Sequence, residues 1–138
     1  MNFRFAKALP AILVVLITGC GSHTRELVAI SISPDAADAQ SFANSQVQFV
    51  ATGSYTEAPM TAQLTGQDVT WCVGDASGHC AGFIQTGATI SASGLAQCTS
   101  GFAGVVTILA GQPDSHSPAV PDTGVQLRIF GKAQLNCP

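Results

Sequence analysis

The 138-residue chain is of one-domain length, and charged residues make up only 9% of it. Its formal net charge is -3, and removal of the first 19 residues takes Arg4 and Lys7 with it and leaves -5. Only Arg25, Arg128 and Lys132 then remain as basic side chains, too few to track a phosphate backbone, so nucleic acid is excluded as a partner.

Residues 1–19 have the form of an export signal. Arg4 and Lys7 supply a positive start, and residues 8–17 are an apolar run too short to span a bilayer as a helix. The run ends in Leu16, Ile17, Thr18, Gly19 and Cys20. An aliphatic residue, two small residues and a cysteine resemble the lipobox of bacterial lipoproteins. That resemblance implies cleavage before Cys20, a diacylglycerol on its thiol and, usually, acylation of its new amine. Several acyl chains on one residue give stable anchoring, at roughly 0.8 kcal/mol per buried methylene. Gly21 stands where, in enteric lipoproteins, an Asp favours inner-membrane retention, so the expected address is the bacterial cell envelope, at the outer membrane where there is one. Residues 20–26 are then a lipidated tether, and residues 27–138 the folded domain.

Residues 27–32 alternate, which predicts a strand with Val28, Ile30 and Ile32 inward, ended by Pro34. Residues 35–44 are small and polar and read as a crossing between sheet edges. Residues 47–52 predict a second strand with Val47, Phe49 and Ala51 on the core face. Residues 53–67, broken by Pro59, read as a loop or irregular edge. Residues 69–73 hold the only tryptophan. Val69, Trp71 and Val73 share one face and Thr70 and Cys72 the other, so a sandwich is expected to close over Trp71. Residues 74–82, with three glycines, predict a loop.

Residues 88–91 and 95–98 predict short strands about a Ser93-Gly94 turn. After a second turn at Ser100 and Gly101 comes a strand over 104–110 that is apolar on both faces. Residues 112–123, with three prolines and two aspartates, predict a long hairpin loop. Residues 125–135 alternate most regularly, with Val125, Leu127, Ile129, Ala133 and Leu135 on one face. Gln126, Arg128, Lys132 and Gln134 lie on the other, and Gly131 is a candidate bulge. About seven short strands and no helix after the signal predict an all-β, immunoglobulin-like Greek-key sandwich. Its expected core is Ile30, Phe49, Trp71, Leu95, Ile108, Leu127 and Ile129.

Five segments carry a family resemblance: 27–34, 47–55, 69–71, 88–95 and 101–108, in that order and with sensible spacing. Together they resemble the bacterial Ig-like domain, group 2, the module of invasins and intimins, over residues 27–135. The resemblance implies a sandwich in which Phe49 and Trp71 are core and Gly94 makes a turn, and it implies no catalytic residues. The chain departs from the pattern in its four cysteines, in standing alone rather than in tandem, and in its long loop over 111–123.

Cys72, Cys80, Cys98 and Cys137 remain after Cys20, and an even number in an exported domain predicts two disulfides, with three pairings open from spacing alone. In a Greek-key sandwich Cys80, Cys98 and Cys137 are expected at one pole, with Cys72 on the strand leading to it. The preferred pairing is then Cys72–Cys80 with Cys98–Cys137.

Other constellations read as structural. His79 beside Cys80, with Cys72 and Cys98, lacks zinc spacing, so no metal is expected. Asp75, Asp114 and Asp122 lack the alternating ladder of tight calcium loops, and Asx turns account for them. His23 and His116 read as solvated. No nucleophile motif and no glycine-rich phosphate loop is present, so neither an enzyme nor a cofactor is expected. Phe130 falls on the polar face of its strand, where local packing is the simpler reading and a contact platform the functional one.

The expected function is a non-catalytic binding or adhesion module. Its partners are the membrane, through the lipid on Cys20, and an envelope protein or polysaccharide. Recognition is expected through loops at the pole away from the anchor, with Asp114, His116 and Asp122 as candidate binding residues, while Arg128 and Phe130, beside Gln126, are the candidates for a contact through a flat sheet face. The alternative is a structural or accessory subunit of a surface or secretion assembly.

Overall fold

The computed structural model describes residues 24–81, 87–115 and 124–138. The predicted signal, Cys20, His23, Phe83, His116 and Asp122 lie outside these residues. The fold is all-β, with ten strands among the described residues rather than about seven: β1 (Leu27–Ser33), β2 (Ala36–Asp38), β3 (Gln46–Gln48), β4 (Val50–Tyr55), β5 (Thr61–Leu64), β6 (Thr70–Gly74), β7 (Ala88–Ile90), β8 (Leu95–Cys98), β9 (Gly104–Pro113) and β10 (Leu127–Cys137). Two single 3-10 turns, Ala39–Ser41 and Ala43–Ser45, join β2 to β3.

One layer has the order β2-β10-β9-β6. The other is built from β1-β4-β5 and β3-β8-β7, which share a chain path because only Phe49 separates β3 from β4. The layers enclose one apolar core. Val47, Phe49, Ala51, Ala96, Ile108, Ala110 and Leu135 are wholly buried in it, joined by Ile30, Ile32, Leu64, Val73 and Ala133. The period-2 pattern is the cause: alternate side chains of each strand leave water together.

Two β-bulges change which residues those are. In β1 the register shifts between Leu27 and Ala29, so Val28, expected inward, is 54% exposed, and Leu27 packs on the core instead. In β10, Leu127 lies opposite Pro113 but Ile129 lies opposite Gln112. The extra residue is at Arg128, not at the expected Gly131, and it sends Leu127 to the opposite face from Ile129. Leu127 is buried there with Leu109 and Cys80, with Cys72 and Phe130 packed against them, a second small core on the outside of the four-stranded sheet. Val125, expected inward as well, is exposed.

Other expectations are corrected too. The segment after Gly53 is not a loop throughout: β4 runs to Tyr55, and β5 pairs with it, Leu64 opposite Ala51. Leu95 is only half-buried, and Ala96 takes the core position in β8. Ile129 is half-buried. Trp71 is half-buried as well, because β6 is the outermost strand of its sheet and has no further neighbour among the described residues to close over it.

The two disulfides have the expected pairing, Cys72–Cys80 and Cys98–Cys137. Only the second lies at the end of the sandwich, where Cys137 pairs with Gly104, and it joins one layer to the other through β8 and β10. Cys80 is not at that pole. The hairpin that carries it folds back over the outer face of the sheet, where His79 bridges Gln126 and the Cys80 amide donates to the Val125 carbonyl at 2.9 Å.

Candidate functional site

The sandwich offers three surfaces. The first is the outer-face hairpin. Asp75 organises it: its carboxylate accepts from the Ser77 hydroxyl at 2.5 Å, the Ser77 amide at 2.8 Å and the His79 amide at 3.2 Å. The Ser77 side chain, then the Ser77 and His79 backbone amides, hold the Asp75 pKa below its ordinary value. Gly78, at a φ of +89°, lies directly beneath the Phe130 ring, where a Cβ would come within 2.8 Å of the ring carbons Cδ1 and Cζ. Phe130 is thus held between this hairpin and the small outer core, and local packing accounts for it. Among the described residues no group of three His, Cys, Asp or Glu side chains is placed to hold a metal ion.

The second surface is the pole where β1 begins. Arg25 sits 3.5 Å over the Tyr55 ring and donates to the Pro59 carbonyl at 2.6 Å, which fixes the incoming chain to the end of β4. Arg128 and Gln112 face it across a hollow of about 460 Å³ that Glu26 and Asp68 also line. Asp114 follows directly on β9, its amide donating to the Gln126 carbonyl at 2.9 Å, so it belongs to the same pole. Asp114 therefore lies where the chain enters the fold, not at the far end as expected, and Arg128 lines the hollow at the same pole. The far end carries Cys98, Cys137 and the turns around Phe42 and Gly101.

The third surface was not legible as a site in the sequence. It is a groove of about 400 Å³ on the flank, opened by the edge position of β6. Trp71 lines it, with Phe49 to Ala51 at its base, Gln63 to Gln67 on one rim and Ala92 and Ser93 on the other. Both rims are pinned. The Asp68 carboxylate accepts from the Thr65 amide and hydroxyl, each at 2.8 Å, and these bonds, the backbone one first, hold its pKa below the ordinary value. The Gln48 amide donates to the Phe49 carbonyl at 2.9 Å and the Ser93 carbonyl at 2.7 Å, tying the Ser93-Gly94 turn to β3. Gly94 has a φ of +82°, and a Cβ there would reach within 3.0 Å of the indole, so the glycine lets Trp71 lie on the turn. Gln63 and Gln67 are exposed, and their side-chain amides make no hydrogen bond among the described residues. Every residue lining the groove is uncharged. A signal for one rim was present: Thr61, Ala62, Gln63 and Leu64 alternate as a strand does, although the stretch is only four residues long.

No protein-family model matches this chain, and no curated protein matches it.

Proposed function

We propose that this protein is a lipid-anchored, non-catalytic binding module of the bacterial envelope. It is an Ig-like domain of the group 2 type, held at the outer membrane by acyl chains on Cys20, and it recognises an envelope protein or polysaccharide. The observation that carries the reading is a doubly stapled sandwich whose tether joins at one pole and whose flank presents an uncharged tryptophan groove.

Strand order supports the Ig-like part. In such a sandwich strands A, B, E and D pair in one layer and C, F and G in the other. Taking β1, the β3–β4 path, β6, β7, β8, β9 and β10 as A to G matches both orders, with β2 and β5 as additions. The lipobox at 16–20 supports the anchor.

A second reading, an accessory subunit of a surface or secretion assembly, draws on Val105. It is 60% exposed beside a hollow lined by Ala36, Ala37, Asp38, Gln134 and Asn136, an apolar side chain with a polar surround suited to a flat protein contact.

Replacing Cys20 by Ala is expected to move the protein from the membrane pellet to the soluble envelope fraction and to remove the acyl mass from the intact protein. A variant that still sediments with membranes counts against the anchor. Cross-linking on intact cells with the lipidated protein tests recognition: a dominant captured protein or glycan supports the binding module, and capture of neither removes it.

A further inference from the structure

Resting on the binding-module reading, we infer that the Trp71 groove is a subsite for a segment of neutral polysaccharide. Four properties point to that chemistry. The half-buried indole supplies an apolar platform, while Gln63 and Gln67 line the same groove with exposed side-chain amides that are bonded to no described residue and both donate and accept. A sugar ring has this same division, with C–H groups on its faces and hydroxyls around its edge. A wholly apolar ligand would bury those amides without partners, at a cost that disfavours it. The lining holds no charged side chain, so a phosphate-rich or strongly acidic ligand has no counter-ion in it.

The shape is as telling as the lining. At about 400 Å³ the groove is within the size range of small-ligand sites. Leu64 and Gln67 line both it and the hollow by Arg25 and Arg128, so the two are neighbours on the flank. A groove open at an edge strand, unlike an enclosed cavity, admits a ring in the middle of a chain. The rims are rigid before any ligand arrives, since Asp68 holds the 65–68 turn and Gln48 holds the 93–94 turn. Little backbone ordering entropy is then left to lose on binding, and the remaining cost is that of fixing the Gln63 and Gln67 side chains.

Trp71 is the only tryptophan, so its emission reports on this groove alone. The test uses the full-length lipidated protein in a zwitterionic detergent, which avoids sugar headgroups, titrated with cellohexaose, chitohexaose and maltohexaose. At least one is expected to give a saturable change in Trp71 emission. Replacing the exposed pair, Gln63→Ala with Gln67→Ala, is expected to weaken that binding about tenfold, as the loss of about two neutral hydrogen bonds should, with the thermal midpoint unchanged. No emission change with any of the three sugars overturns the proposal, as does binding of equal strength in the double variant, which would place the sugar elsewhere. An in-cell cross-linked protein partner whose capture needs Gln63 and Gln67 also overturns it, by assigning the groove to a peptide while leaving the envelope-module reading intact. Conversely, sugar binding by a protein that fails to fractionate with membranes sustains the groove and removes the anchor.

Discussion

Replacing Cys98 and Cys137 together by Ala should destabilise the sandwich far more than replacing Cys72 and Cys80. The two bonds close chain segments of very different length, with sequence separations of 39 and 8. In the chain-entropy account a cross-link restricts the unfolded ensemble in proportion to the logarithm of the ring it closes. This puts the long ring at about 4 kcal/mol and the short one at about 2.5 kcal/mol. Cys137 and Cys80 are both buried, so the cavity left by Ala is comparable and does not reverse the order. With an unfolding entropy of about 2 cal/mol/K per residue, the larger loss corresponds to a fall of roughly 15 °C in the thermal midpoint. Together the two bonds account for about 6.5 kcal/mol, comparable to the whole net stability of many domains, so the fully reduced protein should be marginal. The assay is thermal and urea unfolding by circular dichroism of the parent and the two double variants. A Cys72/Cys80 variant that loses as much as the Cys98/Cys137 variant would refute ring closure as the source of the stabilisation.

Two further predictions test the bulge and the outer-face hairpin. Leu127 is 1% exposed and Val125 is 38% exposed, so Leu127→Ala should cost about 2–5 kcal/mol in urea unfolding and Val125→Ala less than about 0.5 kcal/mol. Equal losses would mean that the bulge at Arg128 does not set the faces of β10. The Asp75 carboxyl titrates below its ordinary value of 3.8 in the fold, so the carboxylate is the form its hydrogen bonds favour. Its contribution is then complete above 3.8 and is lost as pH falls through the lowered folded value. Protection of the Ser77 and His79 amides relative to the intrinsic exchange rate at each pH should fall over that acid range in the parent and already be low at neutral pH in Asp75→Ala; protection that stays flat through the acid range in the parent sinks the argument.

What could be read from the sequence follows from how local each feature is. Val47, Phe49 and Ala51 are buried because side chains alternate along any extended strand, whatever lies beside it. That the cysteines pair was accessible from their even number and the expected export, and the pairing itself rests on a strand order that puts Cys98 and Cys137 at one pole; the placement of Cys80 was not accessible, because a hairpin that folds back over a sheet is a tertiary event. Val28 and Leu127 were assigned to the wrong face for a different reason. A bulge is a mismatch between two strands, and neither strand's own pattern contains it. Trp71 illustrates the same limit. Its alternation with Val69 and Val73 marks an inward face, but whether an inward face is covered depends on strand order, and β6 is last in its sheet. The candidate groove therefore stayed hidden: its indole looked like core, and its amides lay in a stretch read as loop.

The arrangement of the chain ends bears on how force would pass through the molecule. The β1–β2 segment and β10 run the same way, and β2 pairs parallel to β10 over Ala36 to Asp38. Tension between the tether, which joins at one pole, and the last residues of β10, at the other, would load that pairing in shear, so its hydrogen bonds would resist together rather than peel one at a time. The Cys98–Cys137 bond then diverts the covalent pull from Cys137 into β8 of the opposite layer, and the chain between those two cysteines, with all of β9 and nearly all of β10, is loaded only through its non-covalent contacts such as the β2 pairing. A protein fixed to a membrane at one end would keep that part of its core folded under tension for as long as the bond remained oxidised.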